Sequence, residues 1–175
     1  MSEIYTLDNV ILDKDLNNLY NSLINNPVWN LSRSSLNNVI GTFPGFVVKD
    51  NDSVSNPGWH GYFMALFENI NCNFYKKYKF TLPGKIKRIH LGAKNDSSFT
   101  EFHCDTNNSN SYTIVGFLTP QWDLNWGGSL FIEDKKFEFE PGKFIIFKSN
   151  LRHNGVGLNK TIPFWRITLN LVVEE

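Results

Sequence analysis

Apolar positions recur at two different periods along this chain, helical in its first half and strand-like in its second. In DKDLNNLYNSLINNP, Leu16, Leu19, Tyr20, Leu23 and Ile24 stand three and four residues apart. That spacing predicts an amphipathic helix with one buried face, capped by Asp13 and stopped by Pro27. From about residue 28 to 56 the periodicity dissolves into Ser, Asn, Gly, Pro and Asp, with short extended pieces around Gly45 to Lys49. An irregular stretch of this length inside a small domain reads as a candidate substrate lid. A second helix is signalled by Asn56 as cap and Pro57 at the first helical position, followed by Trp59, Phe63, Leu66, Phe67, Ile70 and Phe74 at offsets of three and four. Its aromatic stripe reads as core packing.

After Pro83-Gly84 the period shortens to two. Strands are predicted over 85–92, 99–105, 112–118, 129–133, 136–140, 143–148 and 164–173, separated by turn residues. Helices followed by evenly spaced short strands give an α+β, mainly β class, with helices packed on one face of an antiparallel sandwich or barrel. The expectation is a single domain over 1–175, with helical support in 1–84 and a β core in 85–175.

Bulk properties narrow the function. A chain of 175 residues, 41% hydrophobic, buries roughly two-thirds of its unfolded surface and has room for one core. Lys plus Arg and Asp plus Glu both number 17, without a basic run, so nucleic acid is not suggested as a partner. The start MSEIYTLDNV has neither a basic beginning nor an apolar run, and no stretch approaches the ~20 apolar residues of a membrane span. A soluble, cytoplasmic protein without a membrane partner is expected. Cys72 and Cys104 form no C-x-x-C pair, which speaks against a disulfide framework or a zinc thiolate site.

The densest chemical signal is EFHCDT. His103 and Asp105, one residue apart in an extended segment, project to the same side, and one more histidine completes a two-His, one-carboxylate triad. That arrangement leaves positions open and marks non-haem iron(II) oxygenases. The bland alternative is a His and an Asp sharing a hydrogen bond without metal. His153 follows 48 residues after Asp105, just beyond the apolar run KFIIFK, and Arg166 stands 13 residues later in FWRITLNLVV. Alternation puts Arg166, Thr168 and Asn170 on one face, and an inward arginine among apolar neighbours requires an anion. Cys104 is expected to face away as a small core residue, and Trp122 or Trp126 is a candidate for stacking on substrate.

The ordered pieces His103-Cys104-Asp105, Trp126-Gly127-Gly128-Ser129-Leu130, Pro141-Gly142 through Phe147, His153 and Arg166-Ile167-Thr168 resemble the 2-oxoglutarate and Fe(II)-dependent oxygenase superfamily. The match is closest to its prolyl 4-hydroxylase-like branch. The resemblance implies a double-stranded β-helix, or jelly-roll, core buttressed by the N-terminal helices. It implies Fe(II) at His103, Asp105 and His153, with 2-oxoglutarate as co-substrate and O2 as oxidant. The distal carboxylate of 2-oxoglutarate is then held by Arg166 and Thr168. The implied reaction is hydroxylation of a peptidyl proline, another peptide or protein site, or a small molecule, releasing succinate and CO2. The branch usually carries a tyrosine where KRIHLG has His90, so His90 is a candidate for the missing co-substrate contact, with Tyr112 and Thr113 as possible substitutes. Two other readings stay open on the residues alone: a non-catalytic jelly-roll binding module, and a cupin-like metalloenzyme that does not use 2-oxoglutarate.

Overall fold

The computed structural model describes residues 4–26, 29–32, 39–40, 43–97 and 99–175. Its elements in chain order are β1 (Ile4–Leu7), α1 (Asp13–Ile24), β2 (Asn30–Ser32), β3 (Val39–Ile40), β4 (Phe43–Asp50), β5 (Ser53–Val54), α2 (Pro57–Tyr78), β6 (Lys85–Lys94), β7 (Phe99–Thr100), β8 (Tyr112–Phe117), β9 (Leu130–Ile132), β10 (Lys135–Phe137), β11 (Phe144–Lys148), β12 (His153–Gly155) and β13 (Arg166–Glu174).

Strands pair in the order β1-β11-β8-β13-β6-β4-β2, with β5 added on β4, to give a large antiparallel sheet. A small sheet, β10-β9-β12, faces it, and β3 pairs with β7. A backbone bridge between His103 and His153, with N–H···O distances of 3.0 and 2.9 Å, ties the segment after β7 to β12. This is a jelly-roll core.

Strict alternation divides the large sheet between two cores. In β11, Phe144 and Ile146 point to the helices while Ile145 and Phe147 point to the small sheet, and all four are fully buried. The helix-side core takes Leu16, Leu19 and Leu23 from α1 and Phe63, Leu66, Phe67, Ile70 and Phe74 from α2, packed against Ile89, Leu91, Leu169 and Leu171. At roughly 25 cal/mol per Å² of apolar surface buried, such side chains are the main source of stability. The inner core holds Val115, Phe117, Ile145 and Phe147 against Leu130, Ile132 and Phe139. Among the described residues, no helix is long and apolar enough to cross a membrane.

The helix periodicities hold, but a cap differs. Leu12 occupies the N-cap of α1 without a side-chain bond, and Asp13 falls inside the first turn beside Asp15. There the carboxylates favour the helix dipole instead of capping it. Pro27 lies outside the described residues. Pro57 does open α2, but the side chain of Asn56 donates from Nδ2 to the Val47 carbonyl at 3.0 Å and makes no cap bond.

The larger correction concerns residues 28–56. Apart from 28, 33–38 and 41–42, which lie outside the described residues, much of this stretch is strand. β4 runs beside β6 with Val47 opposite His90 and Gly45 opposite Gly92. Phe46 and Val48 are buried on the helix side, whereas Val47 is 38% exposed on the other face. This part of the stretch is therefore a wall of the barrel and not a lid over it. The residues before 85 also supply β1, β2 and β4 to the large sheet, alongside their helices.

Close packing on the helix side of the large sheet leaves little slack. A Cβ placed on Gly116 would sit 2.6 Å from Cε1 of the buried Phe144 ring. Gly116→Ala is expected to destabilise the fold by about 1–3 kcal/mol, as overpacking in a rigid core does. A lower urea midpoint at unchanged slope would register it.

Candidate metal centre and anion pocket

The bridge between His103 and His153 brings two imidazoles together, with ring centroids 4.5 Å apart. Nδ1 of His103 lies 2.8 Å from the Glu101 carbonyl and Nδ1 of His153 lies 3.1 Å from the Leu151 carbonyl. A carbonyl can only accept, so each Nδ1 carries the hydrogen and each Nε2 keeps its lone pair for a ligand. Asp105 follows in an irregular turn, not in the strand expected over 99–105, and is fixed by its backbone N–H to the Ser149 carbonyl at 3.0 Å. Its Oδ2 lies 3.5 Å from Nε2 of His153. One donor atom from each of the three residues falls within 4.8 Å of the others.

Electrostatics suit a cation here. Burial alone would raise the Asp105 carboxyl, but Arg88, His153 and the Thr113 hydroxyl hold it below the ordinary carboxylate value. The Thr113 Oγ1 donates to Oδ2 at 2.7 Å, and Arg88 pairs with Oδ1. Burial pulls His153 below its usual value, and His103 adds to this against the opposing pull of Asp105. An ionised carboxylate and a neutral imidazole are the states a metal requires. Two imidazole nitrogens and one carboxylate oxygen match the donor set of a divalent first-row metal.

Arg166 lies at the opposite end of the same sheet face, four residues or ~13 Å along the strand from Asn170, whose side chain reaches Asp105. It is 4% exposed, and its Nη1 donates to the carbonyls of Gly128 and Val156 at 2.8 and 2.9 Å. Its Nε has no partner, and no carboxylate among the described residues pairs with it. Burial lowers it to about 10, so it stays charged at neutral pH. A buried guanidinium held by two carbonyls, with an orphan N–H, is a seat for an anion. Gly128 makes the seat possible: its φ is +80°, and a Cβ there would lie 2.6 Å from Nη1 of Arg166.

Of the other candidates, Thr168 sits between Arg166 and Asn170 on this face, opposite Gly92. His90 also faces inward, opposite Asn170 and Val47. Burial and then the Arg88 cation lower it to about 4, leaving it neutral, and its buried Nε2 has no partner. Tyr112 does not join them. It lies on the helix side of β8 with Lys148 Nζ 4.1 Å over its ring, whereas Thr113 points to the metal centre. Trp122 and Trp126 pack edge to face at 5.3 Å and extend onto Phe139 and Phe164, so their faces are engaged with each other's neighbours. Cys104 is half-buried with Sγ 3.2 Å from the Asn150 carbonyl, outside both cores.

Two residues escaped the sequence reading. Arg88 contacts Asp105, and Lys94 stands directly opposite Arg166 in the β6–β13 ladder. Directly opposed residues share a face, so the pocket end carries two cations. Lys94 is 7% exposed, and burial followed by Arg166 lowers it to about 7, against the pull of Asp96. Between that value and the ordinary 10.5 the unfolded chain binds the proton that the folded chain has released. Stability therefore rises with pH from about 7 towards 10.5, and the penalty for the buried charge is fully present below about 7. Lys94→Met is expected to flatten this slope, which urea midpoints at pH values on either side of the window would measure.

No family model matches the chain, and no curated protein matches it. Solved structures do. An oxidoreductase of the 2OG-Fe(II) oxygenase family from Burkholderia pseudomallei aligns at 14% identity over 99% of this chain and 86% of its own, with a TM-score of 0.70. A Pseudomonas putida prolyl-4-hydroxylase aligns at 12% identity over 99% and 92%, with a TM-score of 0.66. A Trichoplax adhaerens prolyl hydroxylase, in complex with a hypoxia inducible factor oxygen degradation domain peptide fragment, aligns at 13% identity over 98% and 83%, with a TM-score of 0.65. The chain has the double-stranded β-helix fold of these prolyl hydroxylases and 2OG-Fe(II) oxygenases.

Proposed function

We propose that this protein, acting as one domain over 1–175, is an Fe(II)- and 2-oxoglutarate-dependent oxygenase that hydroxylates a peptidyl proline or a small molecule. The observation that carries this reading is a charged, buried arginine, unpaired with any carboxylate among the described residues, on the same sheet face as a compact His-Asp-His cluster.

His103 and His153 would hold the iron through the Nε2 atoms that their hydrogen bonds leave available, and Asp105 through Oδ2, the oxygen on the His153 side. Arg166 would receive the distal carboxylate of 2-oxoglutarate, with the Thr168 hydroxyl beside it and Lys94 adding positive potential from the facing strand. A planar guanidinium offers a carboxylate two parallel donors, which an ammonium cannot. His90, neutral and with Nε2 unpartnered, suits a hydrogen bond to the co-substrate in place of the tyrosine of related sequences. Leu130, Ile132 and Phe147 form a dry inner wall that keeps water from the reacting centre. When bound, iron and 2-oxoglutarate supply the oxidative chemistry, coupling use of O2 and release of CO2 and succinate to hydroxylation. The peptide bound by the Trichoplax enzyme supports a peptide substrate.

Anaerobic addition of Fe(II) and 2-oxoglutarate to the purified protein tests the proposal. The expected result is the weak visible charge-transfer absorption of the chelate. Its absence would overturn the reading in favour of a binding module or a metalloenzyme that does not use 2-oxoglutarate.

A further inference from the structure

Arg88 has no place in the ligand set or the anion seat, yet it pairs directly with Asp105. It projects from β6 two residues before His90, on the same face, with its side chain 23% exposed. Its Nη2 pairs with Oδ1 of Asp105. Its Nε and Nη2 also donate to Oδ1 of Asn170 at 3.1 and 3.0 Å, and Asn170 Nδ2 turns back to Oδ2 of Asp105 at 3.5 Å. The two carboxylate oxygens thus have different surroundings. Oδ1 faces the guanidinium, while Oδ2 faces Thr113 Oγ1 at 2.7 Å and Nε2 of His153 at 3.5 Å.

We propose that Arg88, braced by Asn170, is a positioning residue that reserves Oδ1 of Asp105 and so limits Asp105 to one oxygen at the metal. The inference rests on the metal-centre reading above. A carboxylate can ligate through one oxygen or chelate through both. Chelation would fill one of the positions that a bidentate co-substrate and O2 need at a two-His, one-carboxylate centre. Tying Oδ1 into an ion pair prevents this. Asn170 holds the guanidinium at Nε and Nη2, while the carboxylate is held by Arg88 at Oδ1 and by Thr113 at Oδ2.

The arrangement has a price in affinity, because a fixed positive charge beside the site opposes a dication. Loss of Arg88 therefore has two signed consequences. The metal binds more tightly, and it keeps fewer solvent molecules because Asp105 is released to chelate. A residue that merely stiffened the site would act in the opposite sense, since removing an ordinary supporting partner weakens metal binding about 10- to 100-fold.

Mn(II) titration followed by water-proton relaxation separates these outcomes without turnover. For the parent protein we expect about three exchangeable waters on Mn(II), the number left by three single-atom ligands at a six-coordinate ion. For Arg88→Met we expect about two, with tighter binding. Asn170→Ala removes the brace while keeping the charge, and should lower the water count with a smaller change in affinity. It also keeps the inference testable if Arg88→Met does not fold. An unchanged water count in both variants, or weaker binding by Arg88→Met, would overturn the role of Arg88 alone. Failure of the parent to take up Mn(II) would overturn the metal-centre reading beneath it.

Discussion

His153→Ala is expected to abolish the visible absorption with Fe(II) and 2-oxoglutarate and to weaken metal binding by more than about 100-fold. Loss of a residue that only orients a ligand already weakens binding 10- to 100-fold, and loss of the ligand itself does more. Of the two proposed ligands His153 and Asp105, His153 is the better to remove. Its imidazole is 3% exposed and packs 4.8 Å from the Phe147 ring, so truncation leaves a small void costing about 1–3 kcal/mol. Asp105→Ala would instead strand the Arg88 guanidinium beside an apolar gap, and the folding defect would be confused with the binding defect. Calorimetric titration with Mn(II), alongside thermal melts of the metal-free proteins, measures both effects. Affinity within tenfold of the parent would remove His153 from the ligand set.

Arg166→Ala should leave Mn(II) binding intact and raise the dissociation constant for 2-oxoglutarate by about 100- to 1,000-fold or more. The expectation follows from the about 3–5 kcal/mol lost when a buried carboxylate loses its only bidentate partner. Lys94 would remain opposite the vacancy, but a single ammonium cannot reproduce the forked contact. Arg166→Lys should accordingly recover only part of the affinity. The variant also deprives the Gly128 and Val156 carbonyls of their shared donor, so a modest loss of stability should accompany the binding defect. Titrating 2-oxoglutarate into the anaerobic Fe(II) protein reads the constant directly. An undiminished band at limiting 2-oxoglutarate would show that the anion is seated elsewhere.

Most strands from 85 onward were legible from alternation and apolar runs between turns, but the strand expected over 99–105 keeps only Phe99–Thr100, and β12 was missed. His103 and Asp105 were legible from spacing, whereas pairing them with His153 and Arg166 needed the resemblance, since nothing local says which strands become neighbours. β1 was missed because IYTL is only four residues long. β4 was read only as short extended pieces around Gly45 to Lys49, because Pro44 and Gly45 are turn residues by composition, and pairing with β6 joins those pieces into one strand. Sequence offered Tyr112 and Thr113 together, although alternation permits only one of them to face the site. Arg88 and Lys94 were invisible for a related reason: each acquires its meaning from a residue met through ladder register, Lys94 from Arg166 and Arg88 through Asn170 and Asp105.

The pairing of β1 with β11, Ile4 against Phe147 through Leu7 against Phe144, has a consequence for how the molecule is made. β1 is separated from its partner by residues 8–143, and β6 from β13 by residues 95–165. The apolar faces of α1 and α2 must therefore stay uncovered through most of translation. Such distant pairings slow folding and prolong exposure to aggregation.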